Sequence, residues 1–103
     1  MPYADPLSNK EIEDRLAELP GWALSDDGLS LGRTYRLPHL PAAVFAVHIA
    51  RIQDELNHHS DLTLGYNTLV VSITTHDVGG RLTAKDFELA RRIEDIAPGH
   101  GAR

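Results

Sequence analysis

Two adjacent histidines, His58 and His59, lie within the segment DELNHHSD (54–61), which carries carboxylates on both sides of them. Such a cluster can serve proton transfer, metal ligation or nothing more than a solvated surface. His76, at the end of a later run, is the third histidine of interest. The other three have plainer readings. His39 lies in a loop between Pro38 and Leu40, His100 lies in the tail, and both are expected to be solvated. His48 borders an apolar helical stripe, where a structural role is expected.

Acid–base chemistry suits His58, His59 and His76 best. An unperturbed imidazole titrates near pH 6.5, so it can give or take a proton at ordinary pH. Several such rings among carboxylates could protonate a leaving group while another atom of the substrate loses a proton. A metal site fits less well. Adjacent residues on a helix diverge by about 100°, and neither an H-x-x-x-H nor an HExxH spacing is present. No metal ligands are therefore assigned. The chain also lacks the G-x-S-x-G elbow, the phosphate-cradling glycine loop and the dinucleotide fingerprint. With no cysteine it has no disulfide, thiolate site or thiol nucleophile. An elimination or isomerisation on a small planar substrate needs nothing beyond what remains.

The elements that must position these rings are well punctuated. Ser8 and Glu11 fit a capping box, Ile12, Leu16 and Leu19 follow at helical spacing, and Pro20-Gly21 ends the run. WALSDDGLSLGRTYRL (22–37) reads as a hairpin turned at Asp27-Gly28. A second helix is expected from Pro41 to about His58, with Phe45, Ile49, Ile52 and Leu56 on its core face. On that helix Asp54 and His58 stand at i and i+4.

Two strands follow, LTLGY (62–66) and LVVSITTH (69–76), joined around Asn67-Thr68. In the second, Leu69, Val71, Ile73 and Thr75 share one face, and His76 ends the other, more polar one. Gly79-Gly80 makes a bend, Thr83 caps a last helix with Phe87, Ala90, Ile93 and Ala97 inward, and Pro98-Gly99 stops it. The tail GHGAR (99–103) is expected to fray. The order helix, hairpin, helix, hairpin, helix implies one α+β domain spanning residues 1–103, a layer of helices on a single sheet.

At 103 residues the chain can bury a modest core, so self-association would add useful stability. The net charge is −5 and the ten Lys and Arg residues are scattered, with no basic stripe for nucleic acid. Neither a secretory signal nor a membrane-spanning run is visible, and a cytoplasmic location with no membrane partner is expected.

The spacing of Asp54, His58-His59-Ser60, Tyr66, His76 and Asp86 resembles the signature of the pterin-4a-carbinolamine dehydratases. LPGW (19–22), YN (66–67), TTH (74–76) and LTAKDFELARRIE (82–94) agree with it, so the resemblance runs from the first helix to Ala97. It implies a four-stranded antiparallel sheet with three helices packed on one face. It also implies dehydration of 4a-hydroxytetrahydropterin to the quinonoid dihydropterin, which recycles the pterin of aromatic amino acid hydroxylases. In that reading the pterin is the substrate and there is no cofactor. The chain would be a dimer or tetramer, with strand or helix contacts between protomers.

Carried over by position, His58, His59 and His76 become the catalytic imidazoles. His58 and His76 would handle proton transfer at the leaving hydroxyl, and His59 would orient the substrate. Asp54 would brace His58, Asp86 would support the last helix, and Trp22 would wall the pocket or join the core. Thr74 and Thr75 would offer backbone groups to the pterin edge, with Ser60 and Tyr66 in supporting positions. The chain departs from the family pattern at three places: Asp54 for a usual Glu, Ser60 for a usual Pro, and Leu62 where an aromatic is common. Relatives of this fold also act as dimerisation cofactors of a transcription factor, so a non-catalytic interaction scaffold is the alternative.

Overall fold

The computed structural model describes residues 5–75 and 80–103. Helix α1 (Asn9–Leu16) starts where its capping box predicts. The Ser8 side chain accepts the Glu11 N–H and the Glu11 carboxylate accepts the Ser8 N–H. Strands β1 (Ala23–Leu24) and β2 (Leu31–Arg36) form the first hairpin, and Gly28 at φ +72° supplies its left-handed corner. Helix α2 (His39–Leu56) is followed by the second hairpin, β3 (Ser60–Leu64) and β4 (Thr68–Ile73). Helix α3 (Ala84–Ile96) and a short 3-10 turn (Pro98–His100) complete the chain.

The sheet order is β1-β2-β4-β3, antiparallel throughout, so β2 and β4 pair side by side and join the two hairpins. The expected α+β class, four antiparallel strands and three helices, is the observed one. Alternation decides the faces. Leu31 and Tyr35 of β2 and Leu69, Val71 and Ile73 of β4 are fully buried, whereas Thr34, Arg36, Asp61 and Thr63 are exposed. Against the buried side stand Phe45, Ile49 and Ile52 of α2 and Phe87, Leu89, Ala90 and Ile93 of α3. Tyr35 meets Phe45 edge to face at 5.1 Å.

Two expectations about element ends need correcting. Helix α2 begins at His39, because Pro41 falls in its first turn, where a missing N–H costs nothing. His39 is thus helical, with its Nδ1 3.1 Å from the Gly65 carbonyl. The helix also stops at Leu56, since Asn57 takes the left-handed conformation (φ 52°, ψ 44°) that asparagine tolerates better than most residues.

The tail, expected to fray, is docked. Arg103 exchanges both backbone hydrogen bonds with Arg36 (2.9 and 3.1 Å), and His100 stacks on Phe45 at 5.0 Å. His100 Nε2 also lies 2.8 Å from His48 Nδ1, so neither histidine is merely solvated. One stripe of α2 remains uncovered: Leu40, Val44 and Val47 are 71, 51 and 71% exposed. Among the described residues no helix is long and apolar enough to cross a membrane.

Candidate active site

Where α2 gives way to β3, the left-handed Asn57 turns the chain back on itself. The His58 N–H reaches the Gln53 carbonyl at 3.0 Å. His58 and His59 therefore leave the helix before the sheet begins, and Ser60 enters β3 opposite Ile73. The ends of β3 and β4 and this turn enclose a cleft of about 220 Å³, lined by Asn57, His58, His59, Ser60, Asp61, Thr74 and Thr75. A larger groove of about 350 Å³ between α1 and α3 has Arg15, Glu18, Phe87, Glu88 and Arg91 on its walls. It contains none of the histidines, so the smaller cleft is the candidate site.

The two histidines have different carboxylate partners. His58 Nε2 donates to Asp86 Oδ1 at 2.7 Å. The His58 side chain is 12% exposed and Asp86 is fully buried. His59 Nε2 donates to Asp54 Oδ1 at 2.9 Å, and that pair stays 59 and 78% exposed. The sequence reading made Asp54 the brace of His58. The structure gives Asp54 to His59 instead, because the helix ends before His58 can stand one turn above Asp54. Asp86, expected to do no more than support α3, is the partner of His58.

Asp86 does support its helix as well. It is the acidic half of a second capping box, with Oδ2 accepting the Thr83 N–H at 2.8 Å. The Thr75 hydroxyl donates to the same oxygen at 2.5 Å. One buried carboxylate thus ties together the start of α3, the strand end and the His58 ring. A carboxylate can only accept, so His58 must carry its proton on Nε2, which leaves Nδ1 as the ring's acceptor when neutral.

Thr75 and Thr74 both line the cleft, but Thr75's side chain is committed to Asp86. The Ser60 hydroxyl and N–H both point to Gln53 Oε1. His76, the expected third imidazole, lies outside the described residues, as does Gly79 of the expected bend. Its neighbour Gly80 has φ +77°.

Two expected site residues are not brought to the cleft. Trp22 belongs to the core, 6% exposed, with Nε1–H donating to Glu94 at 3.0 Å. Tyr66 is 81% exposed on the turn between β3 and β4 and stacks on His39 at 6.4 Å. Since β3 enters at the cleft with Ser60, Tyr66 lies a full strand length away. Sequence reasoning also missed Gln53 and a polar node at Glu94. That carboxylate accepts from Trp22, from Tyr35 Oη at 2.5 Å and from Arg33 Nε at 3.3 Å. Burial, reinforced by Glu94, pushes the Tyr35 phenol far up. The only prior signal for either residue was a polar side chain on an otherwise inward helical face.

Among the described residues no group of three or more His, Cys, Asp or Glu is placed to hold a metal ion. The family model described as pterin 4 alpha carbinolamine dehydratase matches residues 5–96. A provisionally named pterin-4-alpha-carbinolamine dehydratase from Streptomyces avermitilis is 63% identical over 99 residues, covering 95% of this chain and 96% of its own. A provisionally named counterpart from Streptomyces coelicolor is 58% identical, covering 96 and 97%. The crystal structure of a transcriptional coactivator/pterin dehydratase from Brucella melitensis superposes with a TM-score of 0.84. It is 28% identical and covers 90% of this chain and 99% of that one.

Proposed function

Since the chain belongs to the pterin-4a-carbinolamine dehydratase family, we propose that it dehydrates 4a-hydroxytetrahydropterin to the quinonoid dihydropterin by histidine acid–base catalysis. The observation that carries this reading is the His58–Asp86 pair at the wall of the cleft. The reaction breaks the C4a–O and N5–H bonds and forms a C4a=N5 double bond. One proton must reach the departing hydroxyl, which leaves as water, and one must leave N5. Nothing is oxidised or reduced.

His58 is suited to one of these transfers. Asp86 holds its Nε2–H and so fixes both tautomer and ring direction, with Nδ1 as the working nitrogen. A positioned acid or base of this kind contributes about 10²–10⁴-fold. His76 is assigned proton transfer at the leaving hydroxyl beside His58, and a neutral imidazole of the three takes the N5 proton. His59, more exposed and paired with Asp54, orients the pterin, and Thr74 offers backbone groups to its edge. The reaction needs no cofactor, because the pterin is itself the substrate.

In this reading the enzyme acts in the cytoplasm on pterin released by an aromatic amino acid hydroxylase. Self-association into a dimer or tetramer is supported by the uncovered Leu40, Val44 and Val47 stripe of α2 and by the open edge of β3. The second reading, an interaction scaffold, is favoured by the structural likeness to the Brucella melitensis transcriptional coactivator/pterin dehydratase. Loss of carbinolamine dehydration on His59→Ala, with fold and assembly intact, supports the enzyme. A scaffold would tolerate the change.

A further inference from the structure

Four polar residues are buried among those described: Gln53, Thr75, Thr83 and Asp86. The last three belong to the network that holds His58. Gln53 stands apart from them, 5% exposed, on the face of α2 otherwise given to Phe45, Ile49 and Ile52. A buried amide costs free energy unless its polar atoms are bonded, and a leucine would fill the same space without that cost.

What Gln53 does with its oxygens is specific. Its main-chain carbonyl accepts the His58 N–H at 3.0 Å. Its side-chain Oε1 accepts the Ser60 N–H at 2.9 Å and also the Ser60 hydroxyl. One residue therefore grips the peptide immediately before and immediately after the His58–His59 unit.

We propose that Gln53, acting through Ser60, is a positioning residue that locks the His58–His59 segment in register between the end of α2 and the start of β3. The proposal rests on the dehydratase reading for its catalytic consequence, though the clamp itself does not. Register matters here because a slip of one residue at a strand entrance sends each side chain to the opposite face. The left-handed Asn57 turns the chain but leaves the two following residues to be fixed by something else. Displacing a catalytic group by about 1 Å can cost about 10²-fold in rate. Ser60 suits the clamp because it supplies two donors, N–H and O–H, to one acceptor.

The test uses the full chain, Gln53→Leu and Gln53→Glu, with amide hydrogen exchange at Ser60 and steady-state dehydration kinetics. Wild type should protect the Ser60 amide despite its place at a strand entrance. Gln53→Leu should speed its exchange, broaden the His58 and His59 ring signals in proton NMR, and lower kcat by about 10–100-fold with a much smaller change in KM. Gln53→Glu keeps the acceptor oxygens and should restore both protection and most of the rate. An unprotected Ser60 amide in wild type overturns the proposal without any variant. So does a Gln53→Leu protein whose folded fraction keeps wild-type kcat and wild-type Ser60 exchange. If wild type itself fails to dehydrate the carbinolamine, the dehydratase reading falls, and the exchange and NMR results alone decide the clamp.

Discussion

His58 and Asp86 are 28 residues apart in sequence and 2.7 Å apart in space, joined by a hydrogen bond from Nε2 to a carboxylate with no exposed surface. The bond sets the orientation of an imidazole at the cleft from the N-terminus of a helix packed behind it. Asp86 is already held by the Thr83 N–H and the Thr75 hydroxyl, so the ring is directed by a carboxylate that cannot itself swing.

Replacing Asp86 should therefore damage rate and stability together. Asp86→Asn keeps the shape but offers an amide where Nε2–H needs an acceptor. With His58 in its proposed proton-transfer role, it should lower kcat by at least about 10-fold, since it disturbs the ring's tautomer. Asp86→Ala, which removes the capping contact with the Thr83 N–H as well, should cost about 1–2 kcal/mol, read from urea unfolding midpoints.

Asp54→Ala should separate from that result cleanly. Its pairing with His59 is largely exposed, and such pairs contribute between about 0 and 1 kcal/mol. The unfolding midpoint should barely move, and the kinetic effect should appear mainly in KM because His59 loses its brace. A large fall in kcat would contradict the division of labour between the two histidines.

Glu94 gives a purely structural counterpart. Glu94→Ala removes the acceptor for the buried Trp22 N–H and Tyr35 O–H. Leaving such donors unpaired costs about 1–3 kcal/mol each. Urea unfolding should show a loss of about 2 kcal/mol or more, with little change in kcat of the folded enzyme.

The docked tail should be acid-sensitive. Burial first, and then the neighbouring His48, lower the pKa of His100 below its usual 6.5. The unfolded chain therefore binds more protons than the folded one as pH falls through that region. The stabilising contribution is complete above pH 6.5 and is lost as pH falls toward the lowered folded-state value. His48 Nδ1 and His100 Nε2, 2.8 Å apart, can share one proton but cannot both carry one. Thermal unfolding midpoints between pH 7.5 and 5 should drop more steeply for wild type than for His100→Ala.

Much of the fold was legible because its punctuation is local. Ser8 with Glu11 marks one helix start, Thr83 the other, Asp27-Gly28 a turn, and the alternation through Leu69, Val71 and Ile73 a buried strand. Of the candidate residues, His58, His59, Ser60, Thr74 and Thr75 come together at one cleft, but their hydrogen-bond partnerships were not legible. Asn57 is a recognisable left-handed stop, and reading it so would have detached His58 from Asp54. The His58–Asp86 and His48–His100 contacts depend on how α3 and the tail pack, which no local pattern encodes. Nor does the chain near Gly99–Arg103 signal docking, because its anchors are backbone bonds to Arg36 and stacking on Phe45.

The proposed dehydratase makes the HHS turn proton-transfer machinery for a pterin carbinolamine. Stopped-flow absorbance of 4a-hydroxytetrahydropterin decay, with wild type beside the His58→Ala/His59→Ala variant, tests it most directly. The expected result is acceleration by wild type and a loss of at least about 10²-fold in the double variant, the lower end of what positioned acid–base groups contribute. Decay at the uncatalysed rate with wild type, or equal acceleration by both proteins, would contradict it.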